Sequence, residues 1–370
     1  MMKTLAENLS ALTRELMMIP GLSGYEDRVR RAIALKLKAL GLKANTDQLG
    51  NLYTTIEGDP ELPSVLLFAH MDQLGLVVRK IEADGLIRVE RLGGVPERAL
   101  PAHSVLLCVG EGRDVWGVIA HKSHHATAQD EKYKVLPYSE LYVDAGFASA
   151  EQVLAAGINV GTPVVYKPQA MELANGVISG TSVDDRAGCA VVLEVAAALL
   201  KQKLRPTTYI LFSVLEEFNL QGAVPAARKL RPDIAIQLDL ILATDTPDMA
   251  ARGDVKMGAG PAMSMYSFHG RGTLNGTIPH PALVSLFDKT AQQLKMNLQR
   301  SAHTGALTDS SYVQLHHDGV ACIDMGFPCR YTHSANEVCD PKDLAALTEL
   351  LVASISNIDK FFTLDRDHYT

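Results

Sequence analysis

Residues 65–72 of this 370-residue chain read VLLFAHMD, an apolar run that ends in a histidine and an aspartate. A short apolar run of this kind predicts a buried strand whose carboxyl end carries the ionisable side chains. Further runs of the same character, also predicted as buried strands, lie at residues 209–214, 234–242 and 320–325. The chain therefore offers several strands of the type that builds the interior of a sheet.

Segments with helical periodicity surround these strands, at residues 5–19, 27–40, 187–201, 281–294 and 344–362. An alternation of strands and helices is typical of a mostly parallel sheet with helices on both faces. We therefore predict the α/β fold class, with a mostly parallel sheet flanked by helices.

Residues 74–176 have a different pattern, with little helical periodicity and frequent glycine and proline. Short β-rich pieces are predicted there at residues 85–92, 104–109, 115–119 and 164–167. This pattern favours an inserted domain resembling a β-barrel. The predicted division is a catalytic domain made of residues 1–73 and 177–370, interrupted by an inserted β-rich domain at 74–176.

The composition excludes several classes of protein. The 42 acidic residues outnumber the 35 basic ones, giving a net charge of -7, and no run of Lys or Arg forms a basic stripe. We therefore expect no nucleic-acid partner. No apolar run reaches about 18 residues, and charges interrupt residues 1–19, so neither a membrane span nor an export signal is expected. The five cysteines are scattered and are predicted to be reduced thiols of a cytoplasmic protein.

Ionisable side chains gather at or near the ends of the predicted strands: His70, Asp72, Glu216, Glu217, Asp239 and His333. Ligands collect at the carboxyl ends of strands in an open α/β sheet, so these residues can meet despite their separation in sequence. Asp184 opens a predicted helix and can join them. Imidazole and carboxylate ligands together suit zinc or cobalt, and one carboxylate has two oxygens with which to bridge two ions.

The adjacent residues Glu216 and Glu217 are expected to have different roles, because neighbouring side chains in extended structure point to opposite sides. One can bind a metal while the other faces the bridging water as general base and then passes the proton to the leaving amine. Asp72 follows His70 by two residues, so its carboxylate can fix the tautomer and orientation of that imidazole.

At six places the sequence resembles one enzyme family, the dinuclear zinc or cobalt aminopeptidases of the tetrahedral, twelve-subunit type, which include glutamyl aminopeptidases and proteins that have been called endoglucanases. The matching stretches are residues 20–26 (PGLSGYE), 69–75 (AHMDQLG), 183–189 (VDDRAGC), 216–217 (EE) with 221–223 (QGA), 305–309 (GALTD) and 330–334 (RYTHS). The likeness covers nearly the whole chain.

The resemblance implies a set of metal ligands. His70 and Asp239 would bind one divalent ion. Glu217 and His333 would bind a second ion, and Asp184 would bridge the two. Because these are imidazole and carboxylate ligands, zinc or cobalt is expected, with manganese as a third choice.

The same resemblance implies that Glu216 is the general base and that Asp72 is the carboxylate behind His70. It also implies that the inserted domain mediates subunit assembly into a dodecamer and that the enzyme trims short peptides. The chain departs from the family pattern at Phe218-Asn219 and at residues 306–310. Neither departure removes a proposed ligand, and both lie where the side-chain preference for substrate is set.

Two features each have more than one interpretation. Asp309 is either part of a structural turn or a substrate-binding residue that meets the free amine of the peptide. His121, His124 and His125 form an HxxHH cluster that could bind a further metal, but a polar loop at a subunit contact is favoured, since the carboxylates that follow match no ligand spacing.

Metal-dependent aminopeptidase activity, with a metal-activated water, is the leading hypothesis. A related two-metal hydrolase acting on acylated amino acids or on C-terminal residues is the second. A metal-binding assembly protein without catalysis is the third. Under the first hypothesis, the protein is expected to be a homo-oligomer that acts on short peptides and has no membrane partner.

Overall fold

The computed structural model describes residues 4–202, 205–269 and 275–369. Its largest sheet has the order β1-β2-β12-β3-β13-β17-β18-β11-β10, with β14, β15 and β16 joined to β17 at one side. The strands are β1 (Asn45–Thr46), β2 (Leu52–Ile56), β3 (Val65–His70), β10 (Ala170–Glu172), β11 (Ile178–Gly180), β12 (Thr208–Ser213), β13 (Ile234–Leu242), β14 (Ala262–Phe268), β15 (Gly276–Thr277), β16 (Gln299–Thr304), β17 (Ala321–Arg330) and β18 (Glu337–Cys339).

The centre of this sheet is parallel. β3 pairs in parallel with β12 and with β13, and β13 pairs in parallel with β17. Antiparallel strands extend both edges, since β2 pairs antiparallel with β12 and β18 pairs antiparallel with β17. The predicted α/β class is confirmed, and the parallel pairing is concentrated in the four strands that carry or lead into the ionisable residues.

Helices cover both faces of the sheet: α1 (Leu5–Met17), α2 (Asp27–Ala39), α4 (Val183–Leu199), α5 (Ala223–Leu230), α6 (Pro281–Gln293), α7 (Ser310–Val313) and α8 (Pro341–Ser356). On one face α1, α4 and α8 pack over the main apolar core. On the other face α5 and α7 cover a smaller core centred on Leu66 and Phe68. Burial on both faces is what an unbroken apolar run such as residues 65–69 requires.

The inserted region contains a closed barrel with the order β4-β5-β8-β7-β6-β9. Its strands are β4 (Gly75–Ile81), β5 (Ile87–Leu92), β6 (Ser104–Leu107), β7 (Val115–Ile119), β8 (Tyr142–Asp144) and β9 (Pro163–Tyr166), with helix α3 (Ala150–Ala155) beside them. A separate apolar core fills this barrel. β10 already pairs with β11 of the large sheet, so the chain rejoins that sheet near residue 170 rather than at the predicted 177.

The end of β17 differs from the sequence prediction in a way that affects the site. β17 runs to Arg330 instead of stopping at residue 325, and it therefore ends only three residues before His333. β3 ends at His70, so this buried strand carries that histidine at its carboxyl end. Within the described ranges, none of the helices combines the length and the apolar character needed to cross a lipid bilayer.

Candidate active site

The site is centred on Asp184, whose two carboxylate oxygens face two different imidazoles. Nε2 of His70, at the end of β3, lies 3.0 Å from Oδ1 of Asp184. Nε2 of His333 lies 3.4 Å from Oδ2 of the same carboxylate. The side chains therefore come together from the end of one parallel strand, the start of α4 and the loop after β17, as ligands do at the carboxyl edge of such a sheet.

Two groups of potential ligand atoms share Asp184. His70, Asp184 and Asp239 form one group, and Asp184, Glu217 and His333 form the other; within each, the ligand atoms all lie within 4.8 Å of one another. The first group is buried, whereas Glu217 and His333 are only half-buried. These are the same five residues that the sequence selected, arranged in the same two sets.

The electrostatics of these groups suit the binding of cations. Burial, followed by the charge of Asp184, raises the pKa of Asp239 well above its usual value. Burial raises the pKa of Glu217 to about 7 despite the nearby His333, and Oε1 of Glu217 has no hydrogen-bond partner among the described residues. Crowded, buried carboxylates are costly when ionised, and a bound divalent ion removes that cost. Imidazole nitrogen and carboxylate oxygen together are a ligand set for zinc or cobalt.

Asp184 behaves differently from its acidic neighbours. Burial opposes its ionisation, but hydrogen bonds from His333 and His70 outweigh burial and hold the pKa of this carboxyl below its usual range. Its backbone N–H donates a 3.0 Å hydrogen bond to Oε2 of Glu337. Among these potential ligands, the carboxylate shared by the two groups is thus the one whose pKa is lowered, whereas the pKa values of Asp239 and Glu217 are raised.

Glu216 and Glu217 lie in a turn after β12, not in extended structure, so the reason given for their divergence was wrong. Their side chains nevertheless separate, with Oε2 of Glu216 lying 4.0 Å from Nε2 of His70 and Oε1 of Glu217 lying 3.7 Å from Nε2 of His333. Burial raises the pKa of Glu216 well above its usual value, and Asp239, Asp309 and Glu217 add to the rise. Each glutamate therefore faces a different imidazole.

Asp72 stabilises this turn and also lies next to the imidazole of His70. Its carboxylate accepts hydrogen bonds from the backbone N–H groups of Glu216 and Glu217, at 3.1 and 3.0 Å. Nδ1 of His70 is 3.4 Å from Oδ1 of Asp72 but 3.1 Å from the backbone oxygen of the same residue. The nearer acceptor for the imidazole is thus the main chain. Asp72 combines the predicted proximity to His70 with an anchoring of Glu216 and Glu217 that the sequence did not suggest.

His333 is fixed by two residues that sequence reasoning missed. Its Nδ1 lies 3.1 Å from the backbone oxygen of Gly94, in the barrel. Its backbone N–H donates a 2.7 Å hydrogen bond to Oε1 of Glu337, the first residue of β18. Burial, then the charge of Asp184, raises the pKa of Glu337 to about 8. Neither residue belongs to a recognisable motif, so only the folded structure identifies them.

Arg186 is a further buried charge beside the site that the sequence did not single out. Its side chain is fully buried and donates to the backbone oxygen of Ile19 at 3.4 Å and to Oε1 of Gln73 at 3.3 Å. Burial lowers its pKa to about 10, while the neighbouring acidic groups oppose that shift. The positive charge of Arg186 therefore lies close to buried acidic side chains of the site, including Asp72.

Asp309 is fully buried at the start of α7, where Oδ2 accepts a 3.1 Å hydrogen bond from the hydroxyl of Ser213. Burial raises its pKa to about 7. The cluster His121, His124 and His125 lies on an exposed loop of the inserted region. It does not form a set of three ligands with other residues in the described part of the chain.

Comparison with known proteins agrees with this arrangement. The sequence pattern described as M42 glutamyl aminopeptidase matches residues 50–350. The candidate aminopeptidase SgcX of Escherichia coli strain K12 is 35% identical over 351 residues, covering 94% of this chain and 94% of the relative. The lysyl aminopeptidase of Pyrococcus furiosus is 29% identical over 355 residues, covering 94% of this chain and 96% of the relative.

Two solved structures match over almost their whole length. The aminopeptidase APDkam598 of the archaeon Desulfurococcus kamchatkensis has a TM-score of 0.89 and 32% identity, covering 96% of each chain. The TET1 peptidase of Pyrococcus horikoshii, which can assemble into a tetrahedron or a large octahedral shell, has a TM-score of 0.82 and 27% identity, covering 96% of this chain and 100% of that one.

Proposed function

The chain belongs to the M42 glutamyl aminopeptidase family and is a metal-dependent aminopeptidase, and from this premise we propose that it removes N-terminal residues from short peptides with the help of two divalent ions. The observation that carries the proposal is the Asp184 carboxylate, which lies between two imidazoles and belongs to both ligand groups. A shared carboxylate is the feature that a pair of closely spaced ions requires.

In this proposal His70 and Asp239 hold one ion, Glu217 and His333 hold the other, and Asp184 is common to both. Zinc or cobalt fits the mixed nitrogen and oxygen ligands, with manganese as a third choice. When bound, the ions would polarise the scissile carbonyl and make water a stronger nucleophile. The half-buried group that contains His333 is the one open to substrate.

Glu216 is proposed as the general base, which accepts a proton from the attacking water and donates it to the leaving amine. Its carboxylate lies beside His70 without being a member of either ligand group. Because burial raises its pKa, the carboxylate has a higher proton affinity than an exposed glutamate, which suits a group that accepts a proton during the reaction. Asp72 is proposed to position it through the hydrogen bond to its backbone N–H.

Asp309 is proposed to meet the free amine of the substrate. Support comes from its charge, which contributes to the raised pKa of Glu216 and therefore acts at the reacting centre. The carboxylate oxygen Oδ1 has no hydrogen-bond partner among the described residues, so one of its acceptor positions is unfilled. A free-amine requirement would distinguish an aminopeptidase from hydrolases of acylated amino acids.

The test of this proposal is Glu216→Gln, a change that keeps the shape of the side chain and removes its ability to take up a proton. We expect turnover of an aminoacyl-p-nitroanilide to fall by about 100-fold or more, while the bound metal measured by mass spectrometry stays the same. Glu349→Gln, on the exposed side of α8, is the matched control and should behave as the unmodified protein. Retention of most activity in Glu216→Gln would remove this residue from the base role.

A panel of free-amine and N-acetylated peptides separates the proposal from the second enzyme hypothesis. Cleavage confined to free-amine substrates supports an aminopeptidase. Preferred cleavage of the acetylated substrates, or release of C-terminal residues, would instead support the related two-metal hydrolase. Mass spectrometry of the products shows which end of each peptide was removed.

We also propose that the chain forms a homo-oligomer, with a dodecamer as the expected size, through its inserted barrel. The assembly described for the Pyrococcus horikoshii peptidase supports this, since that protein matches the present chain over its whole length. A cytoplasmic location is proposed because all five cysteines are free. Analytical ultracentrifugation and cell fractionation test these two statements separately.

A further inference from the structure

We propose that the inserted barrel completes the active site, because the backbone carbonyl of Gly94 orients the imidazole of His333. The inference rests on the proposed function, in which His333 is a ligand of one of two metal ions. Gly94 would be a positioning residue, acting through His333. The barrel would then contribute to catalysis in addition to its proposed role in assembly.

The hydrogen bond between the barrel and His333 determines which imidazole nitrogen is available. Nδ1 of His333 lies 3.1 Å from the carbonyl oxygen of Gly94, which can only accept a hydrogen bond. The proton must therefore reside on Nδ1 for this bond to form. Nε2 faces the carboxylates of Asp184 and Glu217 at 3.4 and 3.7 Å, and in the neutral imidazole it is the nitrogen with the free electron pair. Fixing the tautomer in this way is how a carbonyl prepares a histidine to bind a metal.

Gly93, the residue before Gly94, places the same turn of the barrel close to Glu217. A Cβ atom placed on Gly93 would lie 3.4 Å from the backbone oxygen of Glu217. The turn after β5 therefore lies close to both His333 and Glu217, which belong to the second ligand group and not to the first. In this proposal the barrel borders the metal position that these two residues would hold.

The loop that carries His333 is also packed on the barrel. Ala335 and Val95 are both buried in the apolar core of the barrel, although Ala335 belongs to the catalytic part of the chain. The side chain of Gln169, just after β9, donates a 2.9 Å hydrogen bond to the backbone oxygen of Ala335. Glu337 holds the same loop from the side of the large sheet. The position of His333 is therefore fixed from two directions, one of which is the inserted region.

Gly94 allows a sharp test, because its close approach to His333 leaves no room for a side chain. An added Cβ atom would lie 2.8 Å from Nδ1 and 2.9 Å from Cε1 of His333, and it would meet no other atom within 4 Å. Gly94 does not have a left-handed backbone conformation, so alanine fits its main chain. The substitution Gly94→Ala is thus expected to displace one imidazole and little else.

Cobalt(II) titration of metal-free protein, followed by visible absorption and by mass spectrometry of bound metal, is the decisive experiment. We expect the unmodified protein to bind two ions per subunit. Gly94→Ala should keep the tighter ion, lose roughly 10- to 100-fold in affinity for the other, and show an altered cobalt spectrum. Gly110→Ala is the matched control in the same barrel, because the three atoms nearest to its added methyl all belong to the flexible side chain of Arg113.

The outcomes separate this inference from the proposed function. Two ions bound by Gly94→Ala with unchanged affinity and spectrum would overturn the positioning role while leaving the two-metal proposal intact. A single ion in the unmodified protein would overturn the two-metal proposal and this inference with it. Circular dichroism of the metal-free variant checks its folding. If Gly94→Ala does not fold, Val95→Ala, which loosens the same turn from Ala335, must show the same selective loss of one ion for the inference to stand.

Discussion

The carboxylate of Asp72 accepts a 3.1 Å hydrogen bond from the backbone N–H of Glu216, which joins the loop after β3 to the turn after β12. The N–H of Glu217 donates to the other carboxylate oxygen at 3.0 Å, and the hydroxyl of Ser23 donates to that oxygen at 2.6 Å. Asp72 is fully buried, so these hydrogen bonds compensate for the desolvation of its charge. One buried carboxylate therefore positions the proposed base and a proposed ligand.

Asp72→Asn should impair the chemical step more than substrate binding. The amide keeps the shape of the carboxylate, but its NH2 group cannot accept a hydrogen bond, so only one of the two glutamate N–H groups keeps its acceptor. We expect kcat to fall by about 10- to 100-fold with a smaller change in KM, measured by steady-state kinetics on a chromogenic peptide. Ser23→Ala removes one hydrogen bond and keeps the charge, so its kcat should fall less. Equal kinetics for Asp72→Asn and the unmodified protein would contradict the positioning role.

Glu337→Gln should weaken metal binding. One carboxylate of Glu337 holds the backbone N–H groups of both Asp184 and His333, and glutamine has only one oxygen with which to replace two acceptors. We expect metal affinity, measured by competition with a chelating dye, to fall by about 10- to 100-fold.

Asp343→Asn provides the matched control for that change. Asp343 also accepts hydrogen bonds from two backbone N–H groups, those of Gly258 and Gly260, but it is not a member of either ligand group. The variant Asp343→Asn should have a lower midpoint of thermal unfolding and an unchanged metal affinity. The interpretation of Glu337 would be wrong if both variants bound metal as the unmodified protein does.

Several of the residues that the structure brings together could be picked out from the sequence, because they have local signals. His70 ends an apolar run, and Asp184 opens a helix within a recognisable motif. Asp239 is less obvious, since it lies inside β13 rather than at its end, and there the family resemblance was needed. Side chains that follow buried strands or open helices can thus be found from pattern alone.

The residues that the sequence could not reveal act through contacts between distant parts of the chain. Gly94 and His333 are 239 residues apart, and Glu337 and Asp184 are 153 residues apart. Gly94 contributes a backbone carbonyl, which every residue has, so its identity carries no chemical signal. The turn at Glu216 was also missed, because the buried acceptor that holds its backbone N–H, Asp72, lies 144 residues away in the sequence.

Asp309→Asn tests the proposed contact with the substrate amine. If the carboxylate binds the ammonium form of the N-terminus, loss of its charge should raise KM by about 10- to 100-fold, as expected for a charge-assisted hydrogen bond, with little change in kcat. Ser213→Ala removes the hydroxyl that donates to Asp309 and keeps the charge, so it is the matched control. A fall in kcat at constant KM would instead assign Asp309 to the surroundings of Glu216.

Asp324→Asn should make the protein more stable above about pH 6. Asp324 lies on β17 and is 2% exposed. Burial raises its pKa from 3.8 to about 6, although the hydroxyls of Ser310 and Thr308 oppose the rise. Since the folded protein holds this proton more tightly than the unfolded chain does, stability must fall as pH rises through the interval between the two pKa values.

The asparagine variant cannot ionise and escapes that loss, so its advantage should be near zero below pH 4, grow between about pH 4 and pH 6, and then stay constant. At 1.36 kcal/mol per pKa unit the advantage is at most roughly 3 kcal/mol. Chemical unfolding of metal-free protein at several pH values measures it, and chelation keeps the metal ligands from adding their own pH dependence. The prediction would be wrong if the free energies of unfolding of the two proteins changed equally with pH. Ionisation of Asp324 would then cost nothing in the folded state, because the polar groups around it would already stabilise its charge.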